Sequence, residues 1–279
     1  MPSKISEKLN FAFFGGEPLA VPVLEKLYEG GLVPGLIVSN PDKPRGRNLE
    51  MASPPTALWA KEHQIPLIQP EKLRGEEIKK NFDLFVVVSY GKIIRKEILQ
   101  IPVFGAINIH PSLLPSYRGP SPIVAAILNG DTETGVTVIK IDEEMDHGPI
   151  LAQEKITISP DESVQDLEKS LAELGGKLLV KVIPAFIGGI IKITEQDHSR
   201  ATYVKKIVKS DGEIDLNDNP IKNWRKFRAY ASWPRTFFFR NGKRVIITDA
   251  ALQNGQFVIK KVLPEGKKEI AWDKFNILR

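Results

Sequence analysis

Asn108 and His110 lie in the run INIH, inside a stretch from Phe104 to Pro122 that reads FGAINIHPSLLPSYRGPSP. A β-strand sends alternate side chains to opposite faces, so these two share one face while Ile107 and Ile109 take the other. The pair has useful chemistry. An imidazole can take up or release a proton near neutral pH, and a carboxamide can donate hydrogen bonds to a developing negative charge. Pro111 stops the strand, and Pro115, Gly119, Pro120 and Pro122 keep the next dozen residues irregular, so the strand end opens into a shaped loop. If the sheet is parallel, that carboxyl edge is where open α/β folds hold their ligands.

A third candidate lies further on. Asp146 sits in the connector EEMDHG between the strand patterns GVTVIKID and PILAQEKITI, and Gly148 there lets the backbone pass close to a ligand. An acidic loop residue by itself forms turns or caps. Asp146 becomes chemically interesting only if the fold carries it to His110. The sequence holds no cysteine, which excludes thiolate catalysis and cysteine metal sites and leaves the work to oxygen and nitrogen groups.

The elements that must position these groups alternate regularly. Leu9 to Phe14 reads as a strand, Gly15-Gly16 as a turn, and PLAVPVLEKLYEGG as a helix with Val21, Leu24, Leu27 and Tyr28 at helical spacing. Neither a dinucleotide fingerprint nor a phosphate-binding loop is present. LVPGLIVSN is a second strand, feeding the basic loop PDKPRGRNLEMASPPT with Lys43, Arg45 and Arg47. Helix resumes at TALWAKEHQ, with Ser53 expected as its N-cap. IPLIQP and FDLFVVVSYG follow as strands, the latter buried on both faces and ending in Ser89-Tyr90-Gly91. The helix SPIVAAILNG stops at Gly130. The long helical stripe Leu167, Leu171, Leu174, Leu178, Val182 and Phe186 closes the first domain. The alternation predicts a Rossmann-like, doubly wound, mostly parallel α/β sheet.

After Gly188-Gly189 the polar run TEQDHSR reads as a linker, and its His198 has no neighbours that suggest a role. The tail then turns to short β-rich runs separated by Asn-Gly, Asn-Gly and Pro-Glu-Gly turns, which fits a small C-terminal barrel of the OB-like type. The expected division is a catalytic domain over 1–189, a linker over 190–208 and an OB-like domain over 209–279. Residues 201–279 hold 17 Lys and Arg against 8 Asp and Glu, whereas the whole chain carries only +5. That skew fits a polyanion partner or a solvated lysine-rich surface equally well. No apolar run is long enough to cross a bilayer and the first ten residues lack a secretion signal, so a cytoplasmic protein without membrane contact is expected.

With these residues in hand, the sequence resembles the folate-dependent formyltransferases. The likeness runs nearly end to end, through GGEPLAVPVLEKL, PDKPRGR, VVVSYGKII, INIHPSLLPSYRGPSP, ETGVTVIKIDEEMDHG, ATYVKKIVKSDGEIDL and RKFRAYASWPRTFFF. The resemblance implies a catalytic trio of Asn108, His110 and Asp146. It implies transfer of the formyl group of 10-formyltetrahydrofolate to the α-amino group of methionine on initiator tRNA. Within the same chemistry, an amino-sugar nucleotide is the alternative acceptor. Folate would lie on Ser112, Leu113, Leu114 and Pro115, with the pterin among Ser89, Tyr90, Gly91, Ile93, Ile139, Ile141 and Asp142. Lys43, Arg45 and Arg47 would contact the tRNA acceptor stem. No metal is required, and a monomer is expected.

Overall fold

The computed structural model describes residues 9–45, 49–78 and 81–277. By internal contacts they gather into two compact units. One holds the chain up to Arg118 together with Gly135–Lys155 and Lys169–Ala201. The other holds Gly119–Thr134, Ile156–Glu168 and the chain from Thr202 onward.

The first half of the chain winds β1 (Phe11–Gly15), α1 (Ala20–Glu29), β2 (Leu36–Val38), β3 (Lys43–Arg45), β4 (Glu50–Ala52), α2 (Pro55–Glu62), β5 (Leu67–Ile68), β6 (Leu84–Val88), α3 (Lys96–Leu99) and β7 (Ala106–His110). Then come α4 (Pro122–Asn129), β8 (Glu133–Lys140), β9 (Ile150–Thr157) and α5 (Val164–Ile187). Seven strands form one sheet in the order β5-β2-β1-β6-β7-β8-β9. The pairings from β5 through β7 are parallel, and β8 runs antiparallel to β7. Strand order reverses between β1 and β6, so the carboxyl ends of β1, β6 and β7 border the crevice where such folds bind ligands.

The middle of the sheet is buried on both faces. β1 and β6 are buried throughout, as their continuous apolar runs require. One face carries a core of Phe14, Val38, Phe85, Val87, Tyr90 and Ala106, among others, and Ala106 shares that face with Asn108 and His110. α5 covers the other face. Its Gly175 lies so close to Ile109 that an added Cβ would sit 3.1 Å from that side chain, which brings the helix tight against the back of β7. Of the stripe expected on this helix, Leu167, Leu171, Leu178 and Val182 are buried, while Leu174 and Phe186 are half-buried.

Two local readings change. The basic segment after β2 is not an irregular loop, because β3 and β4 pair antiparallel with Lys43 opposite Ala52 and Arg45 opposite Glu50. A two-stranded ribbon is all edge, so Pro44 costs it little. The N-cap of α2 is Pro54, not Ser53, whose hydroxyl instead donates to the Asp42 carboxylate at 3.0 Å. Pro55 at the first helical position supplies no N–H that needs a cap.

The second unit contains α6 (Pro220–Ala229) and a four-stranded antiparallel sheet of β10 (Phe237–Arg240), β11 (Lys243–Gln253), β12 (Gln256–Pro264) and β13 (Ile270–Ala271), followed by α7 (Trp272–Ile277). The two Asn-Gly hairpins behave as their sequence requires: Asn241, Gly242, Asn254 and Gly255 all adopt positive φ, which suits type I′ geometry. α6 also draws earlier chain into this unit. Arg228 donates to the Glu162 carbonyl at 3.0 Å and Arg225 to that of Asn129 at 3.0 Å, both in segments that precede α5 or form its approach. Asn219 caps α6, its side-chain oxygen accepting from the Ile221 and Lys222 amides. Asn219→Ala should therefore destabilise this unit by about 1 kcal/mol in urea unfolding followed by the fluorescence of Trp224.

Candidate active site

β7 presents His110 at its last position, and the strand's pleat does the aiming. His110 is almost fully buried, and the antiparallel register sets Thr137 directly opposite it and Ile139 opposite Asn108, on the same face. Asn108 is half-buried, about 7 Å back along the strand. Its carboxamide makes no hydrogen bond to another described residue. Beyond the strand, the His110 Nε2–H donates to the Tyr117 carbonyl at 2.9 Å.

Asp146 arrives from 36 residues downstream. Its Oδ1 lies 3.5 Å from His110 Nδ1, with only 5% and 15% of the two side chains exposed. The connector reaches there because Asp146 takes a left-handed conformation, φ 53°, which aspartate tolerates better than most residues. Gly148 then passes so close to the Lys140 carbonyl that any Cβ would collide with it. Gly148, expected to let the backbone pass close to a ligand, passes close to the Lys140 backbone.

These contacts set the electrostatics of the imidazole. Burial pushes the His110 pKa below its ordinary value, the Asp146 carboxylate and the Tyr117 carbonyl push it back up, and the nearby Arg118 guanidinium lowers it. Both ring nitrogens face acceptors, so the imidazolium is the form that satisfies them together, while desolvation favours the neutral ring. Burial outweighs the rest, so the net shift is downward and the neutral ring is favoured in the free protein. A buried imidazole held between a carboxylate and a carbonyl can exchange a proton with the carboxylate, and the Asn108 carboxamide on the same face can donate to a developing oxyanion.

The Pro-rich loop is largely occupied with holding itself. Ser112 is fully buried and donates to the Ser116 carbonyl at 2.6 Å. The Thr137 hydroxyl donates to the Ser112 carbonyl at 2.7 Å and accepts from the Leu114 amide and from Gln153. Leu114 is buried too, so the expected folate loop offers outward chiefly Leu113 and Pro115, both half-buried.

The remaining expected site residues are spread around the same edge. Ser89 and Gly91 follow β6 with positive φ, and Ile93 is 93% exposed beyond them. The Tyr90 ring is in the core, where burial raises its hydroxyl to about 12, and its carbonyl accepts from Asn40 at 2.9 Å. Ile139 and Ile141 point into packed surroundings, and Asp142 accepts from His147 at 2.7 Å. Lys43 is exposed on β3, which follows β2, three strands or about 14 Å across the sheet from β7. Arg45 ends β3, and Arg47 lies outside the described residues. Among the described residues no three His, Cys, Asp or Glu form a metal-sized cluster, and no helix is long and apolar enough to cross a membrane.

Sequence reading missed Arg118, Gln196 and His198 as a group. Arg118 stands in the motif SYRG but gave no hint of being buried. Gln196 and His198 fall in what reads as a polar linker, yet Gln196 is only 4% exposed. A buried polar side chain in a linker leaves no periodic signal.

The fold is a Rossmann-like α/β sheet that brings Asp146 to His110 beside the strand bearing Asn108, and comparison with known proteins gives the family. Residues 9–183 match the formyl transferase family and residues 206–261 the formyl transferase C-terminal domain, so the chain belongs to the formyl transferase family. It is 41% identical over 249 residues to the methionyl-tRNA formyltransferase of Chloroflexus aggregans, covering 88% of this chain and 81% of that one. With the methionyl-tRNA formyltransferase of Thermotoga maritima it shares 40% over 231 residues, 81% and 74% of the two chains. The crystal structure of WlaRD, a sugar 3N-formyl transferase, superposes with TM-score 0.69 at 19% identity, over 94% of this chain and 100% of that one. The methionyl-tRNA formyltransferase of Clostridium thermocellum gives 0.64 at 18%, over 92% and 98%. At these identities the two structures speak for the fold.

Asp146→Asn should lower the His110 pKa, because the carboxylate that offsets burial loses its charge. NMR titration of the imidazole should find the midpoint moved to lower pH than in the unsubstituted protein.

Proposed function

We propose that this chain transfers the formyl group of 10-formyltetrahydrofolate to the α-amino group of methionine esterified to initiator tRNA. The observation that carries the reading is the approach of Asp146 to His110 on the strand bearing Asn108, in a chain 41% identical over 88% of its length to a methionyl-tRNA formyltransferase. The unprotonated amine attacks the formyl carbon and negative charge gathers on the formyl oxygen. Asn108 donates a hydrogen bond to that oxygen, and the positive charge of protonated His110, its two N–H groups turned to Tyr117 and Asp146, stabilises it through space. As the tetrahedral species collapses, the bond from carbon to N10 breaks, the amine gives up one proton and N10 receives one. Asp146 supports the charged imidazole and passes protons through it. The products are the formamide and tetrahydrofolate.

The folate would lie along Ser112, Leu113, Leu114 and Pro115, gripped by their backbone and by the outward faces of Leu113 and Pro115. Its pterin would use backbone groups of Ser89, Tyr90, Gly91 and of Ile139, Ile141 and Asp142, with Ile93 as an apolar cover. Lys43, Arg45 and Arg47 would meet acceptor-stem phosphates, and the basic chain from 201 onward would hold the stem. We place the protein in the cytoplasm, acting as a monomer without membrane contact.

Purified protein offered 10-formyltetrahydrofolate with charged initiator tRNA, charged elongator tRNA and an amino-sugar nucleotide in parallel should formylate the initiator. Formylation of the sugar alone would overturn the reading. His110→Ala and Asp146→Asn should each cut turnover by about a hundredfold or more while leaving folate binding nearly intact. Arg45→Ala and Arg47→Ala should weaken tRNA use and flatten its dependence on salt, leaving formyl-donor binding unchanged.

A further inference from the structure

Asp146 can support His110 only if its connector stays where it is, and that connector is short, partly exposed and turned through a left-handed residue. Its backbone is tied down from one side by a single buried amide. Gln196 donates from Nε2 to the Asp146 carbonyl at 2.9 Å and to the Gly148 carbonyl at 2.8 Å. Its Oε1 meanwhile accepts from Arg118, at 3.2 Å from Nε and 2.7 Å from a terminal nitrogen. Both ends of the amide are thus committed, which fixes its flip and its reach.

Arg118 is in turn oriented. It is 2% exposed, and a terminal nitrogen donates to His198 Nδ1 at 2.8 Å. A guanidinium only donates, so His198 Nδ1 must be the unprotonated nitrogen of a neutral ring. That ring stacks on His147 with centroids 4.0 Å apart and planes 2° from parallel, and His147 reaches Asp142 at 2.7 Å. The connector is therefore clamped at both flanks of Asp146, by Gln196 beneath and by His147 against His198.

We propose that Gln196, oriented by Arg118, is a positioning residue that sets the distance between the Asp146 carboxylate and His110. This rests on reading His110 and Asp146 as the catalytic pair. The linker residue touches neither ring nor substrate. It acts through the backbone carbonyl of the residue whose side chain does the work. A displacement of about 1 Å at a reacting group can cost on the order of a hundredfold in rate, so a lost anchor at this point is read mainly in turnover.

The test is Gln196→Glu in the full chain. A carboxylate keeps the acceptor oxygen that takes both Arg118 donors, and so keeps the buried guanidinium paired, but it cannot donate to the Asp146 and Gly148 carbonyls. With charged initiator tRNA as acceptor, kcat should fall by about 10-fold to 100-fold. KM for 10-formyltetrahydrofolate should stay within about 3-fold, and the melting temperature should not drop. In an Asp146→Asn background the same substitution should cost less than about 2-fold, because the side chain it positions no longer functions. Gln196→Asn, a shorter amide that cannot span both partners, should behave alike if the glutamate variant fails to fold. Wild-type kcat in a folded variant overturns the proposal, as does an undiminished loss in the Asp146→Asn background. Near-normal turnover of Asp146→Asn alone overturns the underlying assignment of the pair, and the positioning role with it.

Discussion

An imidazole pulled out of water and held against a carboxylate is the interaction on which the rest of this structure depends. Burial alone would leave His110 neutral, and exposure alone would leave it an ordinary histidine that no neighbour could tune. The strand end closes over the ring, which lowers its pKa, and Asp146 is brought to its Nδ1, which offsets part of that shift. Cost and compensation therefore sit on one residue. The compensation is only as good as the placement of the nine-residue connector between β8 and β9.

Much of the surrounding structure serves that placement. α5 lies close against the back of β7 through Gly175, which packs on Ile109 beside His110. Thr137, on the neighbouring strand, uses its single hydroxyl to gather the Ser112 carbonyl, the Leu114 amide and Gln153. Arg118 and Gln196 do the same for the connector. In both cases the groups that shape the site are buried side chains bonded to backbone, which fix positions without competing for a ligand.

The sequence announces some of this plainly. The two-residue period of INIH shows which face Asn108 and His110 share, and Pro111 shows where the strand must stop. The apolar runs of β1 and β6 and the Asn-Gly dipeptides of the second unit signal their structures through local sterics, which do not depend on distant chain. What escapes is everything decided by tertiary contact. The meeting of Asp146 and His110 spans 36 residues and turns on one left-handed backbone, so only resemblance to known sequences pointed to it. Gln196 looks like linker because its partners are carbonyl groups, which have no residue type to recognise. The β3–β4 ribbon looks like loop because its strands are only three residues long and mostly polar, with a Pro in one, although an all-edge ribbon tolerates Pro44.

The central claim is that His110 acts in its charged form, at a pKa set by burial against Asp146. The most direct measurement compares the pH dependence of single-turnover formyl transfer with the NMR titration of the His110 imidazole in the same buffer. The account predicts that the rate falls on the alkaline side through the same midpoint at which the ring loses its proton, and that this limb vanishes in His110→Ala. A limb that persists in that variant, or one displaced from the imidazole midpoint by more than about one pH unit, contradicts it.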